Sequence, residues 1–368
     1  MGCAVPAVAV PPVVTAVRCP DGGVQPQAAI DSGGKIHLIY LKGEDGKCDV
    51  FYVTSVDGAR TWGKALRVNS QPGAAIATGT VRGAQIALGK GGRPHVAWMG
   101  SSVAEPKAPG DATPMLYTRM NDAGDGFEAQ RNVITKAAGL DGGGAVAADP
   151  DSDRVAVAWH APIPGERGEE NRTVFYALSN DGGRTFAPEV NAVSTKTGAC
   201  GCCGMRAVFT PSGVDFLYRD VAGEDRSMRV AEIAGTSSVA GPVLQAWAIK
   251  TCPMSTAALT RVGPRVLAAW ETAGQVQFEV IGERGAPVIA PGKGNNRKHP
   301  ALAVNKAGDV LLAWSEGTAW KRGGSVHWQV YDRSFRPVAD GRGMKPDLAV
   351  WSLPTAVATP DGGFVVIY

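Results

Sequence analysis

The chain has 368 residues, 44% of them hydrophobic, with 48 Gly, 25 Pro and 7 Cys; that length normally divides into two or three domains unless a repeat fold holds it together. Its 37 basic and 34 acidic side chains leave a formal charge of +3, which excludes the basic footprint of a nucleic-acid or anionic-membrane binder. The longest apolar stretch, Cys3 to Val17, is broken by Pro6, Pro11 and Pro12 and falls short of the roughly 20 residues that a membrane helix needs.

From the N-terminus onward, one pattern returns seven times: a strand of small residues, a Gly-rich turn, and a second strand ending in an aromatic. It reads PQAAIDSGGKIHLIY to Tyr40, AQIALGKGGRPHVAW to Trp98 and AVAADPDSDRVAVAW to Trp159. It continues as RAVFTPSGVDFLYR around Tyr218, AALTRVGPRVLAAW to Trp270, ALAVNKAGDVLLAW to Trp314 and TAVATPDGGFVVIY to Tyr368. The spacing fits the ~40 to 50-residue blades of a propeller with loop insertions. Ala-rich first strands suit the crowded centre of such a ring, and the bulkier second strands suit the space between sheets. Further strands such as Asp49 to Thr54 and Lys64 to Val68 complete four per blade. The seventh copy stops after two strands, so the segment from Val8 to Val17 is expected to pair with it and close the ring, removing exposed edges. The expectation is a single all-β domain over residues 1–368, a propeller of seven blades with six as the alternative.

Two turns carry a shared pattern. Ser55-Val56-Asp57-Gly58-Ala59-Arg60-Thr61-Trp62 and Ser179-Asn180-Asp181-Gly182-Gly183-Arg184-Thr185-Phe186 both read Ser-x-Asp-x-x-Arg-Thr-aromatic, and Asn121 to Phe127 is a degenerate third copy. Asp, Ser and Thr side chains can bond backbone N–H groups there, Gly permits positive φ, and the aromatic anchors the turn. The pattern resembles the Asp-box (BNR) motif of the sialidase-like propellers, with Ala59 standing where that motif has Gly. The resemblance implies the fold; Asp57 and Asp181 are read as turn formers rather than catalysts.

Strand order then predicts where a site lies. Loops leading into the first strands and leaving the second strands open on one mouth of the channel, opposite the Asp-box turns. The lead-in loops include Arg82-Gly83, Asp141-Gly142-Gly143-Gly144, Cys200-Gly201-Cys202-Cys203-Gly204-Met205, Cys252-Pro253-Met254-Ser255 and Lys298-His299-Pro300. His160, Arg219, Asp220, Glu271 and Glu316 follow second strands. Four of the seven cysteines therefore occupy equivalent positions in adjacent blades. They are read as disulfides between blades, with Cys19 and Cys48 forming another bridge, or as a soft-metal site. In the second reading Cys200, Cys202, Cys203 and Cys252 supply thiolates, Met205 and Met254 thioethers, and His299 borders the site. Met beside Cys on both loops favours copper over zinc. An odd cysteine count leaves one thiol over, with Cys3 the natural spare or a lipid-anchor position.

The sialidase resemblance implies three arginines gripping a substrate carboxylate, a Tyr–Glu nucleophile pair and an Asp acid/base. Only Arg82 and Arg219 qualify at the mouth. The customary Arg-Ile-Pro before the first box is absent, and Phe335-Arg336-Pro337 is read as chance. The linked Cys-x-Cys-Cys and Cys-Pro motifs, with Tyr218-Arg219-Asp220 and Trp247 between them, resemble exported bacterial propellers labelled sialidase-like. That implies a periplasmic or extracellular location and leaves the activity open. The leading expectation is a copper-type site in redox chemistry or metal handling. The alternatives are a glycoside hydrolase using Asp141, Asp220, Glu271 or Glu316 with Arg219 and His160, and a non-catalytic propeller with disulfide-stapled loops. The expected ligand is a small molecule, a glycan or a metal ion.

Overall fold

The computed structural model describes residues 12–193, 197–235, 237–294 and 296–368. Seven sheets are present, six of four strands and one of three, which removes the six-bladed alternative. The innermost strands are Val24–Ile30, Gln85–Leu88, Ala145–Ala148, Arg206–Phe209, Ala258–Val262, Lys298–Val304 and Thr355–Ala358. Each lies against the next around a closed ring. Ring closure follows the expected route: Val14–Val17 runs parallel to Phe364–Ile367, pairing Val14 with Phe364 and Val17 with Ile367. The expected segment before residue 12, and Cys3 with it, lies outside the described residues. Among the described residues no helix is long and apolar enough to cross a membrane.

The aromatic that ends each second strand sets the blade spacing. Trp98, Trp159, Trp270 and Trp314 are each at most 1% exposed, and each is worth about 1.5–3 kcal/mol for its burial. Burying an indole leaves its N–H in need of an acceptor. Trp98 donates to Ala74 O at 3.1 Å and Trp159 to Ala137 O at 2.9 Å. Trp270 donates to Gln245 Oε1 at 2.9 Å.

The two full turns fold alike. Asp57 Oδ1 accepts from Ser55 Oγ at 2.8 Å and Thr61 N at 3.0 Å, and Oδ2 from Thr61 Oγ1 at 2.6 Å. Asp181 repeats the set with Ser179 Oγ, Thr185 N and Thr185 Oγ1 at 2.7, 2.9 and 2.6 Å. The Thr61 and Ser55 bonds hold the Asp57 carboxyl down at about 2. Ala59, where the motif has Gly, takes the left-handed φ of +67°.

One expected bridge is absent. Cys19 is buried against Tyr40 and Ile367, whereas Cys48 packs with Ala75 and Trp98 in a separate cluster. Both are free thiols.

Candidate thiol site at the channel mouth

Several lead-in loops begin with a backbone that side chains resist. Gln25, Thr80, Met254, His299 and Trp351 all have φ between +51° and +60°, a region costing roughly 1–2 kcal/mol for a residue with a Cβ. Close approach of loops to one another accompanies this. Gly204 N donates to Ser255 O at 3.1 Å, tying the lead-in of blade four to that of blade five. Gly143 N donates to Val81 O at 2.9 Å, tying blade three to blade two. A Cβ on Gly142 would stand 2.4 Å from Gly201 O, so that position has room only for glycine.

These ties gather the thiols. Cys200 Sγ lies 3.3 Å from Cys202 Sγ and 3.5 Å from Cys203 Sγ. The sulfurs of Cys200, Cys202 and Cys252 and a carboxylate oxygen of Glu169 all fall within 4.8 Å of one another. A disulfide needs about 2.05 Å; Cys200, Cys202, Cys203 and Cys252 are all free, so the disulfide-stapled reading of these loops does not describe this structure. Cys200 and Cys203 are buried, Cys202 half-buried and Cys252 exposed. Bonds from Cys200 and Cys202 draw the Cys203 thiol well below its usual range, helped by nearby Arg219 and by Ser255 N–H. The same contacts and burial push Cys202 up. Binding of a cation to such a cluster would displace its protons.

Glu169 comes from the loop between the second and third strands of blade three, a stretch with no motif to single it out. Its Oε2 also accepts from Arg226 Nη2 at 3.1 Å. Met205 packs in the hydrophobic cluster with Ala199 and Tyr218, while Met254 lines a small cavity of about 80 Å³ with His299, Lys298 and Trp320. His299 is committed: Nδ1 accepts from Thr256 N at 3.2 Å and Nε2 faces Thr80 Oγ1 at 3.4 Å. Burial pulls its pKa down to about 3, with Lys298 and Arg206 contributing.

No family model matches this chain, and no curated protein matches it in sequence. Solved structures do. An α-L-arabinanase of Penicillium chrysogenum superimposes with a TM-score of 0.54 at 16% identity, over 86% of this chain and 95% of that one. An α-L-arabinofuranosidase of Fusarium graminearum gives 0.53 at 12%, over 85% and 93%. A Hadza microbial sialidase gives 0.52 at 12%, over 85% and 69%. The fold is that of the sialidase-like propellers. At these identities the likeness reaches the fold and stops there.

Within this sialidase-like propeller the mouth carboxylates are mostly engaged. Asp141 Oδ1 accepts from Arg82 Nη2 at 3.2 Å. Asp220 accepts from Arg229 Nε and Ser227 N, both at 2.9 Å. Glu316 Oε2 accepts from Arg297 Nε at 3.2 Å and Trp314 Nε1 at 3.3 Å. Arg219 sits over the Trp247 ring at 5.1 Å and donates to Arg226 O at 2.6 Å. Among the buried mouth atoms without a hydrogen bond are Glu271 Oε2, 3.9 Å from Arg219 Nη2, both ring nitrogens of His160, Gln25 Oε1 and Arg226 Nε. Burial raises the Glu271 pKa against the pull of Gly274 N–H and Arg219. Burial, then Arg172, holds His160 down at about 4, a neutral imidazole.

Proposed function

We propose that the mouth loops of blades three to five bind a soft metal ion, Cu(I) foremost, and hand it on. The observation that carries this reading is the convergence of three cysteine sulfurs and one carboxylate oxygen within 4.8 Å. Thiolates select soft and borderline ions. Zinc would take all four donors as a tetrahedron, whereas Cu(I) is satisfied by the three sulfurs and leaves Glu169 to its ion pair with Arg226. Exposure of Cys252 keeps a path open for ligand exchange, which favours handling over a sealed structural site.

The test is titration of reduced, metal-free protein with Cu(I) in a chromophoric chelator buffer, and separately with Zn(II). One Cu(I) per chain is expected. Cys252→Ser, a change at an exposed side chain, should weaken Cu(I) by at least the 10- to 100-fold that losing even an outer partner of a metal costs. Glu169→Gln should weaken Zn(II) and spare Cu(I). A reduced protein that takes up no Cu(I), or a Cys252→Ser variant with unchanged affinity, would end the proposal.

A second reading, cleavage of a glycosidic bond, draws on the arabinanase and sialidase among the fold neighbours. It also draws on Trp320, which is 56% exposed beside the mouth with Trp351 edge-on at 4.6 Å, an aromatic surface of the kind sugar rings stack on. Glu271, whose pKa burial raises, would be its acid. Absence of turnover on aryl arabinofuranosides and sialosides would remove it.

A further inference from the structure

Below the mouth, the channel widens into a cavity of about 530 Å³ that runs along the innermost strands, a volume typical of small-molecule sites. Arg206 stands at its narrow end. It begins the innermost strand of blade four, and it lines both this cavity and the constriction formed with Gln25, Thr80 and Thr256. Its one hydrogen bond among the described residues runs from Nη1 to the carbonyl of Met205 at 2.8 Å. It forms no salt bridge among the described residues. Asp31 is the single carboxylate among the lining residues of the cavity; it lies at the far end of its strand, where Gly33 N and Lys35 N donate to Oδ1 at 2.9 Å. Arg261 and Lys306 are the other cations of the lining.

Arg206 is half-buried and opens onto the channel, and a cation there with no counter-charge among the described residues favours an anion. Here the Nε and Nη2 edge, the fork that matches a carboxylate in two parallel bonds, has no acceptor among the described residues. We infer that the channel is a second binding site, in which Arg206 grips the carboxylate of a small organic acid. Gln27, Gln85 and Thr355 add polar groups to walls otherwise built of small apolar side chains. The site is separate from the thiol cluster and does not depend on it.

Wild-type protein in a zwitterionic buffer low in anions should show saturable stabilisation against heat by glucuronate or acetate. Arg206→Met should weaken that apparent affinity about tenfold or more, the loss expected for a charge-assisted hydrogen bond. Without added anion the same variant should melt no lower than wild type, because it removes an unpaired cation. Arg206→Lys, which keeps the charge and loses the fork, should fall between the two. Wild type indifferent to carboxylates, responding to chloride or inorganic phosphate alone, or matched by Arg206→Met in its carboxylate response, would overturn the inference.

Discussion

At the Asp57 and Asp181 turns each carboxylate oxygen is taken up by Ser or Thr groups within four residues, whereas at the opposite mouth Glu271 Oε2 and both nitrogens of His160 are buried with no partner. Backbone strain is distributed unevenly too. On the turn face Ala59 and Phe335 take a left-handed φ beside glycines such as Gly58 and Gly182, while the mouth asks it of Gln25, Thr80, Met254, His299 and Trp351. Buried polar groups without partners and left-handed side-chain residues both cost free energy. Their accumulation on one face, around four thiols, marks where the fold gives up stability.

The largest effect should come from disturbing the turn face. Gly183 has φ +79°, and a Cβ there would lie 1.8 Å from Tyr117 Oη of the neighbouring blade. Tyr117 cannot easily yield, since its hydroxyl bonds His95 Nδ1 at 2.7 Å and its ring meets Phe186 edge-on at 4.8 Å. Gly183→Ala should therefore destabilise by about 2–4 kcal/mol, from left-handed strain and overpacking together. Denaturant melts would measure this. Cu(I) affinity of the folded variant should stay at the wild-type value; a fall there would show that the two faces are coupled.

Blade four provides a smaller contrast on the same face. It has no Asp-box turn, and its second and third strands place Asp215 directly opposite Glu232. Burial, then Glu232, raises the Asp215 pKa to about 6. A carboxyl whose folded pKa lies above its unfolded value binds more protons when folded, so stability falls as pH rises from about 4 through 6. Asp215→Asn should flatten that part of the pH profile and gain about 1–2 kcal/mol at pH 7.5, allowing for partial solvent screening. An unchanged slope between pH 4 and 7 would assign the Asp215 carboxyl an ordinary pKa.

What the sequence disclosed follows the same division. The Ala-first, aromatic-last pairs announce the blades because packing at the ring centre and between sheets repeats seven times. The turns are legible because their hydrogen bonds are local. The mouth is only half legible: equivalent positions bring Cys200, Cys202 and Cys252 to one place, yet Glu169 joins them from a loop whose reach no local pattern encodes. Met205 and Met254 have similar Cys-x-Met surroundings, but Met205 sits one residue before its innermost strand and is drawn into the core between blades. Cys19 precedes blade one and Cys48 lies in its third strand, and the two face different neighbours in space. Arg206 looks like any strand residue, because lacking a partner is a property of the whole lining.

The smallest expected effect isolates what the motif glycine is for. Ala59 occupies the position of Gly183, at φ +67° and 3% exposed, with its N–H donating to Ser55 Oγ at 2.9 Å as Gly183 N does to Ser179 Oγ at 2.8 Å. Hydrogen bonding is thus the same in both turns, and the difference lies in whether a side chain stands over the Cβ. In Ala59→Gly, relief of left-handed strain contributes about 1–2 kcal/mol. Against it stand a lost buried methyl, about 0.8 kcal/mol, and the extra entropy of an unfolded glycine, about 0.5–1 kcal/mol. The sum is within about 0.8 kcal/mol of zero, so the melting curve should barely move. A loss well beyond that would mean that the Ala59 methyl holds the turn against the buried cluster of blade one, and that the missing glycine is a packing choice there.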